Sequence, residues 1–491
     1  MPNKDSEKSK ENIAKKLIKI AESKNILFCD YQEVEYAVIH VDGHKEIYSI
    51  ESPKYRKWLR KEFFLIEQEG VSETVMKTAL ETIKAKADFG GIRQDVFLRV
   101  AQIDEVVYID LCNENWEVIR IDNSGWKVIK ESPVYFTRNG NMKPLPIPKP
   151  YGNIDMLIKH LNIDIVDLPL IVGWLIMSLQ KGSGAYPILI LNGTAGTGKT
   201  TASRMLRSLI DPNKCDLLSK PKTEDLRVIG ANHHVFAFDN LSGISNNMSD
   251  SICKISTGDN QSVRKLYTTN DEFTISLKKP CLLNGIDDIA KRDDLVSRSI
   301  KVNLTTPKIR KDERQIWNDF EKDKPYIFGA ILDGLSKGLA SYKSIRIEDI
   351  TRMADFCKIS SAACIAFNWL PETFMKAYRK SIKNLYLDAL ESSMFGSAIM
   401  NMFEKENKFH GRPSDLLYHL EFENYAPGKY SQGWVKTAKG VVSQLDRLKD
   451  SLSAADITYR KYKNRDNKTF IEIEKASGRN LSEKISYSNY A

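Results

Sequence analysis

The residues with the clearest chemistry form one run, Gly193-Thr194-Ala195-Gly196-Thr197-Gly198-Lys199-Thr200, followed by Thr201. Its glycines let the backbone aim several N–H groups at one point, as phosphate oxygens require. A lysine directly after the last glycine reaches the β and γ oxygens of a nucleoside triphosphate, and the Thr200 hydroxyl ligates Mg²⁺. The run lies between an apolar strand, YPILILNG, and a helix, TTASRMLRSLI, which is the context this spacing needs. ATP and Mg²⁺ are therefore the expected cofactors. A carboxylate closing a second apolar strand must complete the metal site, and Asp239 at the end of VFAFD supplies it. Asn240 follows, where many NTPases carry a glutamate that polarises water, so the motif leaves the catalytic base unidentified. A third strand, Cys281 to Gly285, carries Asn284, a candidate to orient water beside the γ-phosphate or simply half of an Asn-Gly turn. Arg292 and Arg298 in KRDDLVSRSI are candidates to reach a neighbouring subunit's nucleotide as an arginine finger, or are solvated cations.

Positioning these groups takes a sheet, and the pattern around them supplies one. Between 213 and 304, apolar strands (HHVFAFDN, EFTISL, PCLLNG, SIKVNL) alternate with helices, as in a mainly parallel sheet with crossover helices. Residues 308–405 read as helical. Before the loop, period-two alternation from Ile26 to about Pro150, interrupted by the helical SETVMKTALETIKAKADF, predicts an N-terminal α+β domain over 1–150. The proline-rich PLPIPKPYGN from Pro144 to Asn153 reads as a linker out of it. After the helices, 410–475 gives helix, loop, helix and two strands, ITYRKYK and KTFIEIE, a winged-helix pattern. Its amphipathic helix, Trp434 to Leu448, carries Lys436 and Lys439. Arg460, Lys461, Lys463, Arg465 and Lys468 crowd the following hairpin against the single acid Asp466. Such a basic hairpin beside a helix suits phosphate contacts flanking a groove-reading element, while a solvated basic face is the alternative. Tyr459 and Tyr462 either stack on bases or pack a core.

Composition is permissive. The chain has 491 residues, 42% hydrophobic and 28% charged, which excludes a disordered chain, a collagen and a disulfide scaffold. Its 73 Lys+Arg against 64 Asp+Glu leave a formal charge of +9, which allows a polyanionic partner without requiring one. Seven scattered cysteines without a C-x-x-C pair fit reduced thiols in a cytoplasmic protein. The N-terminus carries no apolar core of a secretory signal, and the longest apolar run, Leu168 to Leu179, is too short to span a bilayer. His40, Asp42 and His44 in HVDGH sit too close to a hairpin signal, Asp-Gly between alternating runs, to favour a metal site. A primase reading on Asp42 and Asp110 lacks a compact carboxylate cluster.

Taken in order, GTAGTGKTT, VFAFDN, TGDNQSVRKLYTTNDE, LLNGIDDI and RDDLVSRSI resemble an AAA+ ATPase, and more closely the superfamily 3 and MCM-like replicative helicases of phages and mobile elements. The resemblance is firm over 185–305 and looser to about 475. It implies a multidomain α/β chain: an N-terminal α+β domain (1–150), a P-loop AAA+ parallel sheet (151–305), a helical lid (306–405) and a C-terminal winged helix (406–491). It further implies a homo-hexameric ring with ATP at subunit interfaces and DNA in a central pore. Residues 257–277 would then be a pore hairpin with Arg264 and Lys265 near its tip and Lys278 and Lys279 near its end. Arg352 in ITRMADF would be a second sensor from the lid. The expected function is an ATP-dependent DNA helicase for replication of a phage or mobile element. A non-unwinding initiator or loader of the same fold is the first rival, and a nucleotide-gated scaffold or defence ATPase acting on proteins is the second.

Overall fold

The computed structural model describes residues 4–476 apart from 182–183, 221, 259, 265–271, 286–288, 291, 308 and 349–351. The first unit pairs three antiparallel strands, Ile26–Cys29, Glu35–Val41 and His44–Ser49, with three helices, Lys4–Lys24, Pro53–Glu67 and Glu73–Phe89. Leu17, Leu59, Phe63, Met76 and Ile83 fill a core between them. Ser52 starts the second helix by accepting the Tyr55 N–H, with Pro53 in the first turn where its missing N–H costs nothing. HVDGH is a hairpin turn: Asp42 and Gly43 have φ of 47° and 87°, the left-handed pair that a two-residue turn demands. Among the described residues no group of three or more His, Cys, Asp or Glu is placed to hold a metal.

The next four strands, Val100–Ile103, Val106–Asp110, Val118–Asp122 and Gly125–Ile129, form an antiparallel meander. Their inward side chains Val107, Ile109, Ile119 and Ile121 belong to the same core as the helices Leu168–Ser178 and Glu313–Ser341. The expected boundary at 150 therefore does not coincide with a gap between cores; the residues before 90 have a core of their own, and the other face of the meander has a second, small one around Tyr108 and Phe136. Nor is the proline-rich stretch a free linker. Leu145 N–H donates to the Leu111 carbonyl at 2.9 Å and Lys149 N–H to the Pro325 carbonyl at 3.0 Å. A Cβ on Gly152 would fall 1.8 Å from the Tyr326 carbonyl, and one on Gly329 would fall 1.9 Å from that of Lys149. Bare glycines let this strap lie directly on the helix backbone. Proline marks the absence of regular structure, which is a different property from mobility.

The central sheet is parallel, in the order Phe236–Phe238, Cys281–Gly285, Ile188–Asn192, Ser299–Asn303, with a parallel bridge from Leu218 extending its first edge. Helix Leu168–Ser178 is buried at every position, so its apolar run is core. Among the described residues no helix is long and apolar enough to cross a membrane. The far edge strand is closed by helix Pro371–Ser392, whose Ser381 hydroxyl accepts the Lys301 N–H and donates to the Lys301 carbonyl. The segment read as a lid is thus packed along the sheet. Its last helix, Met394–Phe403, shares the core of the C-terminal unit, so the change of core falls near Leu390 rather than at 405.

That unit adds helices Pro413–Phe422, Ala438–Arg447 and Lys449–Ala454 and a three-stranded sheet in the order Lys408–Gly411, Thr469–Lys475, Ile457–Lys463. The first of these strands is too short to announce itself by alternation. The helix expected from Trp434 begins at Ala438, capped by Thr437 accepting the Gly440 N–H, while Trp434 turns into the core and donates its indole N–H to Glu421.

A buried polar network joins meander, loop helix and sheet. Arg99, fully buried, donates to Asp211 and to the carbonyls of Asp110, Lys143 and Pro212. The other oxygen of Asp211 accepts the N–H groups of His234 and Val235, which lead into the Asp239 strand. Burial alone would raise the Asp211 carboxyl; Arg99 and Arg207 outweigh it and lower its pKa. Removing one partner of a buried pair strands the other charge. Arg99→Met is expected to lower unfolding stability by about 3–5 kcal/mol, read as a shift in the urea midpoint of near-UV circular dichroism. Burial, helped by Lys279, also pushes His234 down to about 4. Below its unfolded value of about 6.5 the unfolded chain takes the proton first, so this contribution is complete above that pH and is lost as pH falls towards 4. The urea midpoint should fall between pH 7 and pH 5, and less steeply in His234→Gln.

Candidate functional site

The glycine-rich loop leaves the C-terminal end of strand Ile188–Asn192 and enters helix Lys199–Ser208. Gly193, Gly196 and Gly198 have φ of 155°, 82° and 86°, conformations that a side chain resists. A Cβ on Gly193 would also sit 2.8 Å from both the Leu304 carbonyl and the Thr197 hydroxyl. Thr197 closes the loop by donating to the Thr194 carbonyl, and Asn162 holds it from outside by donating to the Thr197 carbonyl at 3.0 Å. Lys199 folds over this ring, its Nζ donating to the carbonyls of Gly193 and Thr194 at 2.6 and 2.9 Å. Thr200 Oγ1 donates to Asp239 Oδ1 at 3.0 Å, although 39 residues separate them. A hydroxyl and a carboxylate converge here beside a helix N-terminus and a ring of backbone donors. That donor set fits a triphosphate and a hard divalent cation, with Thr200 and Asp239 as oxygen ligands and Lys199 on the phosphates.

Asn284 is buried between these parts. Its Nδ2 donates to Ser203 Oγ on the loop helix at 2.7 Å, and its Oδ1 accepts the Asn240 N–H at 2.8 Å. The amide expected to orient water is also a strut between loop helix and carboxylate strand, with its oxygen and one N–H engaged. Asn240 itself has φ of 53°, a backbone state that asparagine tolerates better than glutamate. Ser203 and Asn162 were not anticipated; each works through a contact to a distant segment and carries no local motif.

The arginines lie elsewhere. Strands 188–192 and 299–303 run parallel in register from Ile188↔Ser299 to Asn192↔Asn303. Arg298 therefore sits at the end of the sheet opposite the loop, about 13 Å of strand away. It pairs with Asp294, and Arg352 reaches the same carboxylate at 3.4 Å and the Ser297 hydroxyl at 2.5 Å. Arg352 thus stands with Arg298 and away from the loop of its own chain, which corrects the expected lid sensor. Arg292 pairs with Asp250 at 2.7 Å.

The hairpin expected to line a pore is present as the antiparallel pair Asn260–Arg264 and Glu272–Ser276. Lys265 and the tip lie outside the described residues, and for Arg264 only the backbone is described. Lys278 and Lys279 are half-buried at the base, Lys278 over the Tyr186 ring, and burial lowers both amines, Lys279 to about 8.

In the C-terminal unit a groove forms between the starts of helices 413–422 and 438–447 and the hairpin. Lys439, Lys461 and Lys463 line it together with Arg412 and Lys468. Lys461 is tied to Asp446. Strand alternation turns Arg460 to the opposite face, across from Glu472, and neither Lys436 nor Arg465 lines the groove. Tyr459 is core, bonded to Asp446, whereas Tyr462 is exposed.

Two family models match the chain. One, described as actinomycete integrative conjugative element replication protein, covers residues 154–388, and the other, described as the C-terminal domain of that RepA group, covers 395–485. Over two consecutive stretches the chain is similar to replication proteins of mobile elements. The break between the matches falls where the cores change, near Leu390. No curated protein matches. Two solved structures of the NrS-1 C-terminal region, one spanning its residues 305–718, align over 93% of this chain and 98% of theirs. Their identities are 11% and 13% and their TM-scores 0.37 and 0.36, a level at which likeness carries no argument.

Asn284→Ala leaves a buried hydroxyl and a buried N–H without partners. Its thermal midpoint should drop by an amount equivalent to about 1–3 kcal/mol. Its ATP turnover should fall while affinity for ATP stays near that of the parent, as measured by steady-state kinetics and by titration calorimetry.

Proposed function

We propose that this chain is an ATP-dependent helicase that drives DNA replication of a mobile element, working as a ring with nucleotide held between subunits. The observation that carries the reading is the Thr200–Asp239 hydrogen bond beneath the glycine loop, which brings two candidate metal-ligating oxygens together from the first turn of the loop helix and the end of a separate strand. Bound Mg²⁺ would supply charge neutralisation for the phosphates of ATP. The chain's own groups do the rest. Loop N–H groups and Lys199 bind phosphate, Asn284 keeps the Asp239 strand end level with the loop helix, and Asn162 braces the loop. Arg298, at the far end of the sheet, is too distant for its own chain's loop and suits the nucleotide of the next subunit. The hairpin carrying Arg264 and Lys265 would grip a single strand, and the C-terminal unit, a winged helix, would hold duplex through Lys439, Lys463 and Lys468.

A second reading, an initiator or loader that switches on DNA without unwinding it, draws on another contact. Ser451 in the C-terminal unit donates to Asp293 at 3.4 Å, in the short helix Asp293–Val296 that precedes Arg298. DNA held by that unit would then act on the arginine through a four-residue helix.

Displacement of a labelled strand from forked DNA separates the two. Lys199→Ala should abolish both ATPase and displacement, and Arg264→Ala/Lys265→Ala should abolish displacement alone. An active, DNA-bound ATPase that displaces nothing would establish the switch. A finger acting in trans makes a sharper demand: Lys199→Ala and Arg298→Ala chains, each inactive alone, should recover ATPase when mixed, because some interfaces then pair an intact loop with an intact arginine. Neutralising Lys439 and Lys463 together should lower the slope of log affinity against log salt by about two.

A further inference from the structure

The face of the C-terminal sheet turned away from its core carries three rings that the groove does not explain. Ile457, Tyr459, Ile471 and Ile473 point inward, so alternation turns His410, Tyr462 and Phe470 outward. Their centroids form a nearly equilateral triangle, with sides of 6.2 Å (His410–Tyr462), 6.0 Å (His410–Phe470) and 6.0 Å (Tyr462–Phe470). Their planes are tilted by only 18°, 22° and 19°. Three mutually equidistant, near-parallel rings cannot be a column. His410 Nε2 and the Tyr462 hydroxyl meet at 2.5 Å through their ring edges, which sets these two side by side. His410 and Tyr462 thus lie edge to edge and exposed, Tyr462 at 44%, with the half-buried Phe470 near-parallel to both and displaced from them.

We propose that this surface is a stacking platform for unpaired bases of a DNA strand leaving the duplex held in the adjacent groove. The proposal deepens the reading of the C-terminal unit as a DNA-binding module and rests on it. Continuity favours it, since Tyr462 belongs both to the platform and to the groove wall. Charge complementarity favours it too: in the turn 463–468 that frames the rings, Lys463, Arg465 and Lys468 stand against Asp466 alone. On the same face Lys408 lies 2.8 Å from Glu472 and 3.9 Å from Glu474, and Arg460 stands across from Glu472, so two cations meet the two acids. Every base has a π-face, so such a platform accepts any sequence while the flanking cations hold the backbone. Cross-strand ring contacts also stabilise a sheet, but that role does not require the rings of His410 and Tyr462 to be exposed.

The test is the affinity of the full chain, at fixed salt, for a blunt duplex and for the same duplex with a short single-stranded extension. In the parent protein the extension should raise affinity about tenfold, in line with stacking of one or two bases. His410→Ala, outside the groove, should lose most of that increment and keep the blunt-duplex affinity; Tyr462→Ala should lose the increment over and above any weakening of the blunt duplex, while Tyr462→Phe, which keeps the ring, should retain it. Lys463→Ala should weaken both substrates alike. A 2-aminopurine at the first unpaired position should be quenched by the parent and not by Tyr462→Ala, with melting curves checking that each variant is folded. An extension without effect, or an increment that survives both alanine variants, overturns the platform. Failure to bind blunt duplex while the extension still binds would overturn the groove reading and leave the platform standing.

Discussion

One buried carboxylate, Asp211, holds the architecture of the candidate site in place. It follows the loop helix, takes Arg99 from the meander, and accepts two backbone N–H groups from the start of the carboxylate strand. Loop helix and carboxylate strand are thereby tied at their far ends by Asp211 and at their near ends by Asn284, which bonds Ser203 on one and Asn240 on the other. With both ends fixed, the Thr200 hydroxyl and the Asp239 carboxylate have little freedom to separate. A buried charge left unpaired would cost several kcal/mol, so the ties hold only as a set.

Parallel register has a second consequence. All strand C-termini lie at one end of the sheet, where the loop, Asp239 and Asn284 gather, and all N-termini lie at the other, where Arg298 and Arg352 share Asp294. Under the proposed reading, one copy's far end would meet the next copy's loop; within the chain that end connects to the C-terminal unit through Ser451 and Asp293.

The C-terminal unit is built on a different principle. Its core is small and apolar, and its polar surface is divided by strand alternation into a basic groove and an aromatic face. Because the period is two, adjacent residues serve opposite sides: Lys461 and Lys463 meet the groove while Arg460 does not. A crowd of cations in the sequence is thus sorted by the pleat, and the lysines and arginines of one short hairpin have unequal parts to play.

By itself the sequence determined those features whose physics is local. The loop is contiguous, its glycines encode their own backbone angles, and its flanking strand and helix announce themselves by periodicity; Asp42-Gly43 likewise encodes its turn. The Asp239 partner was legible because an apolar strand must end at a polar residue. Tertiary structure alone decided what depends on packing between distant segments. Whether Asn284 faces water or braces two elements, whether Arg352 meets the loop or Arg298, and whether a proline-rich stretch swings free or lies on a helix through Gly152 and Gly329 are all set by neighbours far along the chain. A residue's type fixes the bonds it is able to make, and the fold decides which partner arrives to make them.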